Sequence, residues 1–337
     1  MKHHFFVILF FFVFSTISSK ANLPIENVKT FQITNSGDSI QFIKIDADTS
    51  LTKPTILFCQ GSLPIPLIID QKFTSMSNFD YQSISKKYHI IVISMPHTPI
   101  AADENHLNNQ YCYVPDTLKP HNYDIQYWES NYLERYVKRG NTVLDFLRKQ
   151  RWVDKNKIIL FGHSQGTYIA VRLAEQNPDI YAIGYASGNI LGRYSGFILQ
   201  ERNAARKGII SKEEAQENIE KKYEWWKIVC RDTTDFSIEM GDSKKTWKSF
   251  SAPILKQLTD LKMPVFVSYG TEDDGAQMCD ILPIYFELVG KTNYKMRPFV
   301  GCGHNFEEIT PDGKHNWDKM YWKEAMNEFI DWCESLE

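Results

Sequence analysis

The sequence has no apolar run long enough to cross a membrane as a helix. Its longest run, Phe5–Phe14, has roughly ten residues, whereas a bilayer span needs ~20. The run follows Lys2 and precedes the small residue Ala21. This order is typical of a signal peptide, here residues 1–21, with cleavage before Asn22. The sequence therefore predicts an exported protein, secreted or periplasmic, that has no stable membrane anchor.

The sequence also lacks an excess of positive charge and cysteines at the spacings of metal ligands. The chain has 38 basic against 41 acidic residues, so nucleic acid is not an expected partner. None of the six cysteines stands in a Cys-x-x-Cys pair or another zinc-ligand spacing, and we expect neither a metal nor another cofactor. An even number of cysteines in an exported protein permits disulfides, but buried free thiols explain them equally well. The oligomeric state stays open as well.

What the sequence does contain is an alternation of short apolar runs with helical patterns. Two alternating stretches, Thr30–Thr34 and Ser39–Ile45, flank turn-forming residues and predict an antiparallel hairpin of edge strands. Continuous apolar runs bounded by turn residues predict buried parallel strands. These are Thr55–Cys59, Ile90–Met95, Lys157–Phe161, Ile180–Ala186, Pro264–Tyr269 and Lys295–Val300. The helical patterns are Tyr132–Lys149, Thr167–Gln176, Gln277–Val289 and Trp317–Glu334. The alternation predicts an α/β fold with a mostly parallel sheet and helices on both faces.

The alternation breaks after Ser187, where about 75 residues precede the next strand at Pro264, far more than a usual connection. Within this stretch, Ser211–Lys227 opens with a capping box and continues as an amphipathic helix. We expect one domain, residues 22–337, with a helical cap inserted at about residues 188–262.

Two other features of the chain allow more than one interpretation. Three tryptophans of the insertion, Trp225, Trp226 and Trp247, could line a substrate pocket or pack in a core. The stretch His97–Trp128 has no periodicity and predicts a long surface loop near the site.

The strongest chemical signal is the motif Gly162-His163-Ser164-Gln165-Gly166. It lies between the predicted strand Lys157–Phe161 and the helix that starts near Thr167. A serine on such a strand-to-helix elbow has its hydroxyl exposed, and the two glycines permit the tight turn. This motif in this context resembles the nucleophile region of the α/β-hydrolases, in particular their esterase and peptidase groups. The resemblance covers most of residues 29–335.

The resemblance implies the chain order nucleophile, acid, histidine. The predicted strand Pro264–Tyr269 is followed by Gly270-Thr271-Glu272-Asp273, and the last predicted strand by Gly301-Cys302-Gly303-His304. By resemblance, Ser164 is the nucleophile, His304 its general base and Asp273 the acid. Asp274 is the competing acid, because Gly275 after it could shift the turn by one residue.

An oxyanion hole must stabilise the negative charge of a tetrahedral intermediate. The resemblance assigns one donor to the backbone N–H of Gln165. The second is expected from Gln60-Gly61-Ser62, which resembles the family's His-Gly pair with glutamine in place of histidine. We favour the N–H of Ser62, with Gly61 allowing a close approach. His163, beside the nucleophile, is expected to pack or to orient a neighbour.

The function that this resemblance implies is an exported serine hydrolase. It would act on a small-molecule acyl substrate, a carboxylic ester or a related acyl bond, through an acyl-serine intermediate. A peptidase acting on short peptides and a thioesterase are alternatives, because the same residues permit both. A non-catalytic binding protein of the same fold is disfavoured, since Ser164 and His304 are both present.

Overall fold

The computed structural model describes residues 27–46, 48–70, 72–73, 79–115, 124–234, 238–239 and 241–336. The signal peptide expected at residues 1–21 lies outside these residues. Among the helices that are described, none is long and apolar enough to cross a membrane.

An eight-stranded sheet forms the centre of the fold. In chain order its strands are β1 (Val28–Asn35), β2 (Asp38–Ile45), β3 (Lys53–Cys59), β4 (His89–Ile93), β5 (Val153–His163), β6 (Ala182–Ala186), β7 (Val265–Gly270) and β8 (Tyr294–Phe299). Their order in space is β1-β2-β4-β3-β5-β6-β7-β8. β2 pairs antiparallel with β1 and β4, and the other neighbours pair parallel. The predicted mostly parallel sheet is therefore confirmed.

The hairpin at the start of the sheet has a two-residue turn. Ser36 and Gly37 both have positive φ, 50° and 80°, the backbone that matches the twist of paired antiparallel strands. The hairpin prediction is confirmed. The prediction that both strands are edges is wrong for β2, because β2 also pairs with β4.

Helices cover both faces of the sheet. They are α1 (Tyr81–Lys87), α2 (Ile125–Ser130), α3 (Leu133–Leu147), α4 (Gln165–Gln176), α5 (Arg193–Arg206), α6 (Lys212–Arg231), α7 (Lys244–Ser249), α8 (Leu255–Asp260), α9 (Ala276–Asp280), α10 (Leu282–Leu288) and α11 (Trp322–Glu334). Leu144 of α3 and Leu173 of α4 belong to one buried cluster. Ile84 of α1 and Phe329 of α11 belong to another, where Phe329 packs on Phe161 of β5 at 4.9 Å between ring centroids. The two clusters bury the apolar faces of the helices against the sheet.

Two predicted helices have different bounds in the structure. The helix expected at Gln277–Val289 is divided into α9 and α10, because Pro283 in the first turn of α10 has no backbone N–H to continue the hydrogen bonding of α9. The helix expected from Trp317 begins at Trp322. His315–Met320 is instead a strand that pairs antiparallel with Glu307–Ile309.

Short strands also pair outside the central sheet. Ile68–Ile69 pairs with Lys72–Phe73 and with Ala101–Ala102, and Ile238–Glu239 pairs with Asp242–Ser243. The expected loop His97–Trp128 therefore includes one of these strands, as well as a 3₁₀ turn and the start of α2.

Helices α5 to α8 lie within the stretch where the sequence predicts an inserted cap. Tyr194, Trp247 and Val229 form a buried cluster, against which Trp225 and Trp226 pack. The ring of Tyr194 stacks on Trp226 at 4.5 Å between centroids. This packing favours the core interpretation of the three tryptophans.

All six cysteines are free thiols, and five of them are buried. Burial raises the pKa of the Cys59 thiol to about 12, so this side chain is protonated and unreactive at neutral pH. The exposed thiol is Cys230 of α6. The structure thus favours buried thiols over disulfides.

Candidate active site

Ser164 lies at the junction of β5 and α4 in a strained backbone conformation. Its φ and ψ are 54° and −122°, a region that L-residues rarely adopt. Its N–H donates to the carbonyl of Ala186 at 2.9 Å, and its carbonyl accepts from the N–H of Thr167 at 3.0 Å. These bonds hold the conformation in which the hydroxyl of Ser164 meets His304.

The two glycines of the motif are required by close backbone contacts. A Cβ on Gly162 would lie 2.4 Å from the carbonyl oxygen of Gly166, and a Cβ on Gly166 would lie 1.9 Å from that of Cys59. Both distances are far below any real carbon–oxygen contact. Glycine at these positions therefore lets the start of α4 approach the end of β3, from which the expected oxyanion loop begins.

The structure brings Ser164, His304 and Asp273 together from three separate segments. The Ser164 Oγ is 2.9 Å from His304 Nε2, and His304 Nδ1 is 2.7 Å from Asp273 Oδ2. With its proton on Nδ1, the imidazole donates to Asp273 and can accept from the serine hydroxyl. The side chain of Asp274 lies elsewhere, where its Oδ1 accepts from Asn203 Nδ2 at 3.4 Å.

The charges of this arrangement make His304 more basic. Burial alone would lower the pKa of His304, but the hydrogen bond and negative charge of Asp273 outweigh burial and raise that pKa above its ordinary value. For Asp273, burial would raise the pKa, but the hydrogen bond and charge of His304 lower it. The side chain of His304 is 41% exposed and that of Asp273 is 10% exposed, so the imidazole is accessible from outside while the carboxylate stays behind it.

His163 lies behind the histidine loop. Its Nε2 is 3.1 Å from the carbonyl oxygen of His304, and its ring packs edge-on against Trp322 at 4.6 Å between centroids. Burial, followed by the charge of His304, lowers the pKa of His163 to about 3. The neutral imidazole can therefore donate to this carbonyl, in line with the expected packing or orienting position.

The loop proposed for the oxyanion hole passes close to Ser164. A Cβ on Gly61 would lie 3.7 Å from the Cβ of Ser164. Gln60, which stands where the family has histidine, donates from Nε2 to the carbonyl of Ile93 at 2.9 Å and so fixes the loop to β4. Ser62 follows as a half-buried residue, and Gln165 begins α4.

A cavity of about 940 Å³ opens beside His304. Its walls include Gly196 and Gln200 of α5, Asp273, and His315 of the strand that pairs with Glu307–Ile309. Among the residues that the structure describes, no group of three or more His, Cys, Asp or Glu side chains is placed to hold a metal ion.

Glu307, which the sequence did not indicate, is fully buried and accepts hydrogen bonds from both neighbours of His304. Its Oε2 accepts from the N–H of Asn305 at 2.8 Å, and its backbone carbonyl accepts from the N–H of Gly303 at 2.8 Å. Its Oε1 is 2.6 Å from Nδ1 of His315. The signal available in the sequence was a carboxylate three residues after the histidine, which does not by itself indicate burial.

Replacing Glu307 by glutamine should slow turnover without preventing substrate binding. The amide keeps the shape of the side chain but loses its negative charge. That charge raises the pKa of His304, although its effect is smaller than those of burial and of Asp273. We expect kcat to fall about tenfold, because a small displacement of a catalytic group is costly. The acidic limb of the pH–rate profile should move to lower pH.

The matched control is Glu308→Gln, because the Glu308 side chain pairs with Lys319 on the surface. Its kcat and pH profile should match those of the wild type. A Glu307→Gln protein with unchanged kcat and an unmoved acidic limb would show that Glu307 does not orient His304.

Comparison with known proteins agrees with the fold. Residues 49–332 match the Esterase family, described as "Putative esterase". The α/β-hydrolase GrgF from Penicillium sp. sh18 is 12% identical, with 91% of this chain and 98% of that chain covered and a TM-score of 0.55. Among curated proteins, no significant match was found.

Two further similar structures are both described as "putative". One is a dienelactone hydrolase from Klebsiella pneumoniae, with 10% identity, 91% and 98% of the two chains covered and a TM-score of 0.54. The other is a dipeptidyl aminopeptidase IV from Bacteroides ovatus, with 12% identity and a TM-score of 0.52. The match to that peptidase covers 90% of this chain but only 35% of the peptidase. These likenesses show the α/β-hydrolase fold, and the match over residues 49–332 shows that the chain belongs to the Esterase family.

Proposed function

We propose that this protein is a serine hydrolase that cleaves a carboxylic ester or a related acyl bond through an acyl-serine intermediate. The observation that carries the proposal is the continuous hydrogen-bonded series from Ser164 through His304 to Asp273, at 2.9 and 2.7 Å. Membership of the Esterase family supports hydrolysis, and the strained backbone of Ser164 supports its part as nucleophile.

In the first half of the reaction, Ser164 Oγ attacks the carbonyl carbon of the substrate while His304 Nε2 takes the hydroxyl proton. Asp273 accepts from Nδ1 and stabilises the imidazolium that forms. The tetrahedral intermediate then collapses, the bond to the leaving oxygen breaks, and His304 returns its proton to that oxygen. The acyl group remains on Ser164.

In the second half, a water molecule attacks the acyl-serine. His304 takes a proton from the water and later returns it to Ser164 Oγ, which releases the carboxylic acid. The negative oxygen of both intermediates is proposed to accept from the backbone N–H groups of Gln165 and Ser62. Two such donors contribute several kcal/mol of stabilisation in related sites, about 3 kcal/mol for one donor.

The test is the activity of purified protein on three substrate types with the same or similar chromophores. We expect p-nitrophenyl esters of short acids to be hydrolysed faster than thioesters or aminoacyl-p-nitroanilides. Likeness in fold to a peptidase makes the anilides the second candidate. Fast hydrolysis of the anilides without hydrolysis of any ester would favour a peptidase and contradict an esterase.

Two further proposals concern the insertion and the N-terminal segment. We propose that the segment at about residues 188–262 caps the site, because Gly196 and Gln200 of α5 share a cavity with His304. We also propose that residues 1–21 direct export, which rests on Lys2 and the apolar run after it.

A further inference from the structure

A second cleft, of about 860 Å³, lies at the start of α5. Leu63, which follows the loop proposed for the oxyanion hole, lines it together with Arg193. Arg193 in turn contacts Gln165, the residue after Ser164, at 3.5 Å from Nη1 to Oε1. The cleft is therefore lined by two residues beside the proposed oxyanion donors, Leu63 and Arg193, although Ser164 and Gln165 do not line it. The cavity that contains His304 is lined by a different set of residues.

The guanidinium of Arg193 is fixed in this cleft by three contacts. Its Nη1 lies 2.6 Å from Asp242 Oδ2, and its central carbon lies 4.1 Å from the ring centroid of Trp247. The third contact is the one with Gln165. Asp242 is itself held, because its Oδ1 accepts from Asn131 Nδ2 at 2.8 Å. A guanidinium held in this way loses little conformational entropy when it binds a ligand.

Hydrogen-bond donors remain unused at this position. Within the described part of the chain, no group accepts from Nε or Nη2 of Arg193, whose side chain is 28% exposed. The Nε2 of Gln165 is buried and has no hydrogen-bond partner, although the residue is only 4% exposed. The open donors that a molecule in the cleft can reach are therefore those of Arg193.

The missing partner is an acceptor, and the nearest carboxylate cannot supply it. Both oxygens of Asp242 are occupied, one by Arg193 and the other by Asn131. An oxygen atom from a bound molecule would satisfy the open donors of Arg193, which lines the cleft, whereas Gln165 does not line it. Because a planar guanidinium pairs best with a carboxylate, the expected ligand group is a carboxylate.

We infer that Arg193, held by Asp242 and Gln165, forms a subsite for a free carboxylate on the acyl part of the substrate. The inference rests on the proposed function and names its substrate class, an ester of a dicarboxylic acid whose second carboxylate is free. The acyl part is assigned here because the leaving oxygen must reach His304, which lines the other cavity. Leu63, Ile125 and Trp128 line the cleft beside three amide side chains and Asp242, and these three apolar residues suit the methylene groups between the two carboxyl carbons.

A purely structural salt bridge would predict a different pattern. If Arg193 only ties α5 to Asp242, its loss should affect every substrate equally through the fold. A subsite for a carboxylate requires selective loss on the charged substrate. The ratio of two kcat/KM values, charged over neutral, separates the two interpretations.

The experiment compares mono-p-nitrophenyl adipate with p-nitrophenyl hexanoate at neutral pH. Both have six-carbon acyl groups and the same leaving group, and they differ in the terminal carboxylate. In Arg193→Gln we expect the kcat/KM ratio, adipate over hexanoate, to fall by at least about tenfold, the usual size of a lost charged hydrogen bond. Arg193→Lys keeps the charge but loses the planar fork. Its ratio should lie between those of the wild type and of Arg193→Gln.

The matched control is Arg202→Gln on the same helix, because Arg202 pairs with Gln216 on the surface. Its ratio should equal that of the wild type. Since Arg193→Gln leaves Asp242 buried without its cation, inhibition of the unmodified protein provides a second measurement. Free adipate should inhibit hexanoate hydrolysis at a concentration at least about tenfold lower than hexanoate ion does.

Equal losses on both esters in Arg193→Gln, or equal inhibition of the wild type by adipate and hexanoate, would overturn the subsite. Failure of the proposed function has a separate signature. In that case the wild type would hydrolyse neither ester.

Discussion

Ser164→Ala is expected to abolish ester turnover while leaving the fold intact. The hydroxyl is the group that attacks in the proposed mechanism, and His304 Nε2 is 2.9 Å from it. Removing the nucleophile of a comparable triad costs about 10⁶ in kcat, so the loss here should be at least about 10⁴. The measurements are hydrolysis of the best p-nitrophenyl ester and labelling by a fluorophosphonate probe, which reacts with activated serines.

Ser187→Ala is the matched control for this experiment. Ser187 also follows a sheet strand and also has a positive φ, 50°, but its hydroxyl contacts no imidazole. The control should keep its label, and both variants should unfold at the temperature of the wild type to within a few degrees. A Ser164→Ala protein that is still labelled, or a folded wild type that is not, would mean that Ser164 is not an activated nucleophile.

The second large effect is expected from Asp273→Asn. The asparagine keeps the shape of the side chain but can donate from its amide to Nδ1, which favours the wrong tautomer of His304. The same change in the chymotrypsin-type triad costs about 10⁴ in turnover. We expect at least a loss of about 100-fold here, and a change within about tenfold for Asp274→Asn. A larger loss of turnover in Asp274→Asn than in Asp273→Asn would identify Asp274 as the acid.

The pH dependence gives Asp273→Asn a second readout. Activity needs neutral His304, so it is lost as the pH falls through the pKa of His304. Burial lowers this pKa, and the hydrogen bond and charge of Asp273 raise it above the ordinary value. In Asp273→Asn the largest cause that raises the pKa of His304 is gone, while burial still lowers it. The acidic limb of kcat/KM should therefore move to lower pH. For Asp274→Asn the shift should be small, because the charge of Asp274 raises the pKa of His304 less than those of Asp273 and Glu307 do.

Features that depend on local sequence could be predicted. The apolar runs gave the strands of the sheet, since burial on both faces leaves few polar positions. The exception is Lys295–Val300, predicted as a buried strand, because β8 lies at the edge of the sheet and most of its residues are half-buried. Gly162 and Gly166 identified the elbow, because only glycine tolerates the backbone contacts at 2.4 and 1.9 Å. The order of Ser164, Asp273 and His304 came from the resemblance, and the structure places these side chains in contact.

Features that depend on distant contacts could not be predicted. The strand His315–Met320 has mostly polar, exposed residues, so it lacks the apolar pattern that reveals a strand. Burial of Glu307 follows from the pairing of that strand, which no local pattern specifies. Arg193 meets Asp242 and Gln165 only because the insertion folds back over α4. The division at Pro283 is different, because the proline was visible and its missing N–H was a sufficient reason to expect a break.

The distribution of the thiols makes the insertion accessible to spectroscopy. Five cysteines are buried, whereas Cys230 near the end of α6 is exposed. A maleimide dye should therefore attach to this one position of the natural sequence, with no engineered residue. Changes in its fluorescence when a substrate analogue binds would report on the surroundings of α6 during turnover, in a protein whose catalytic residues are all unmodified.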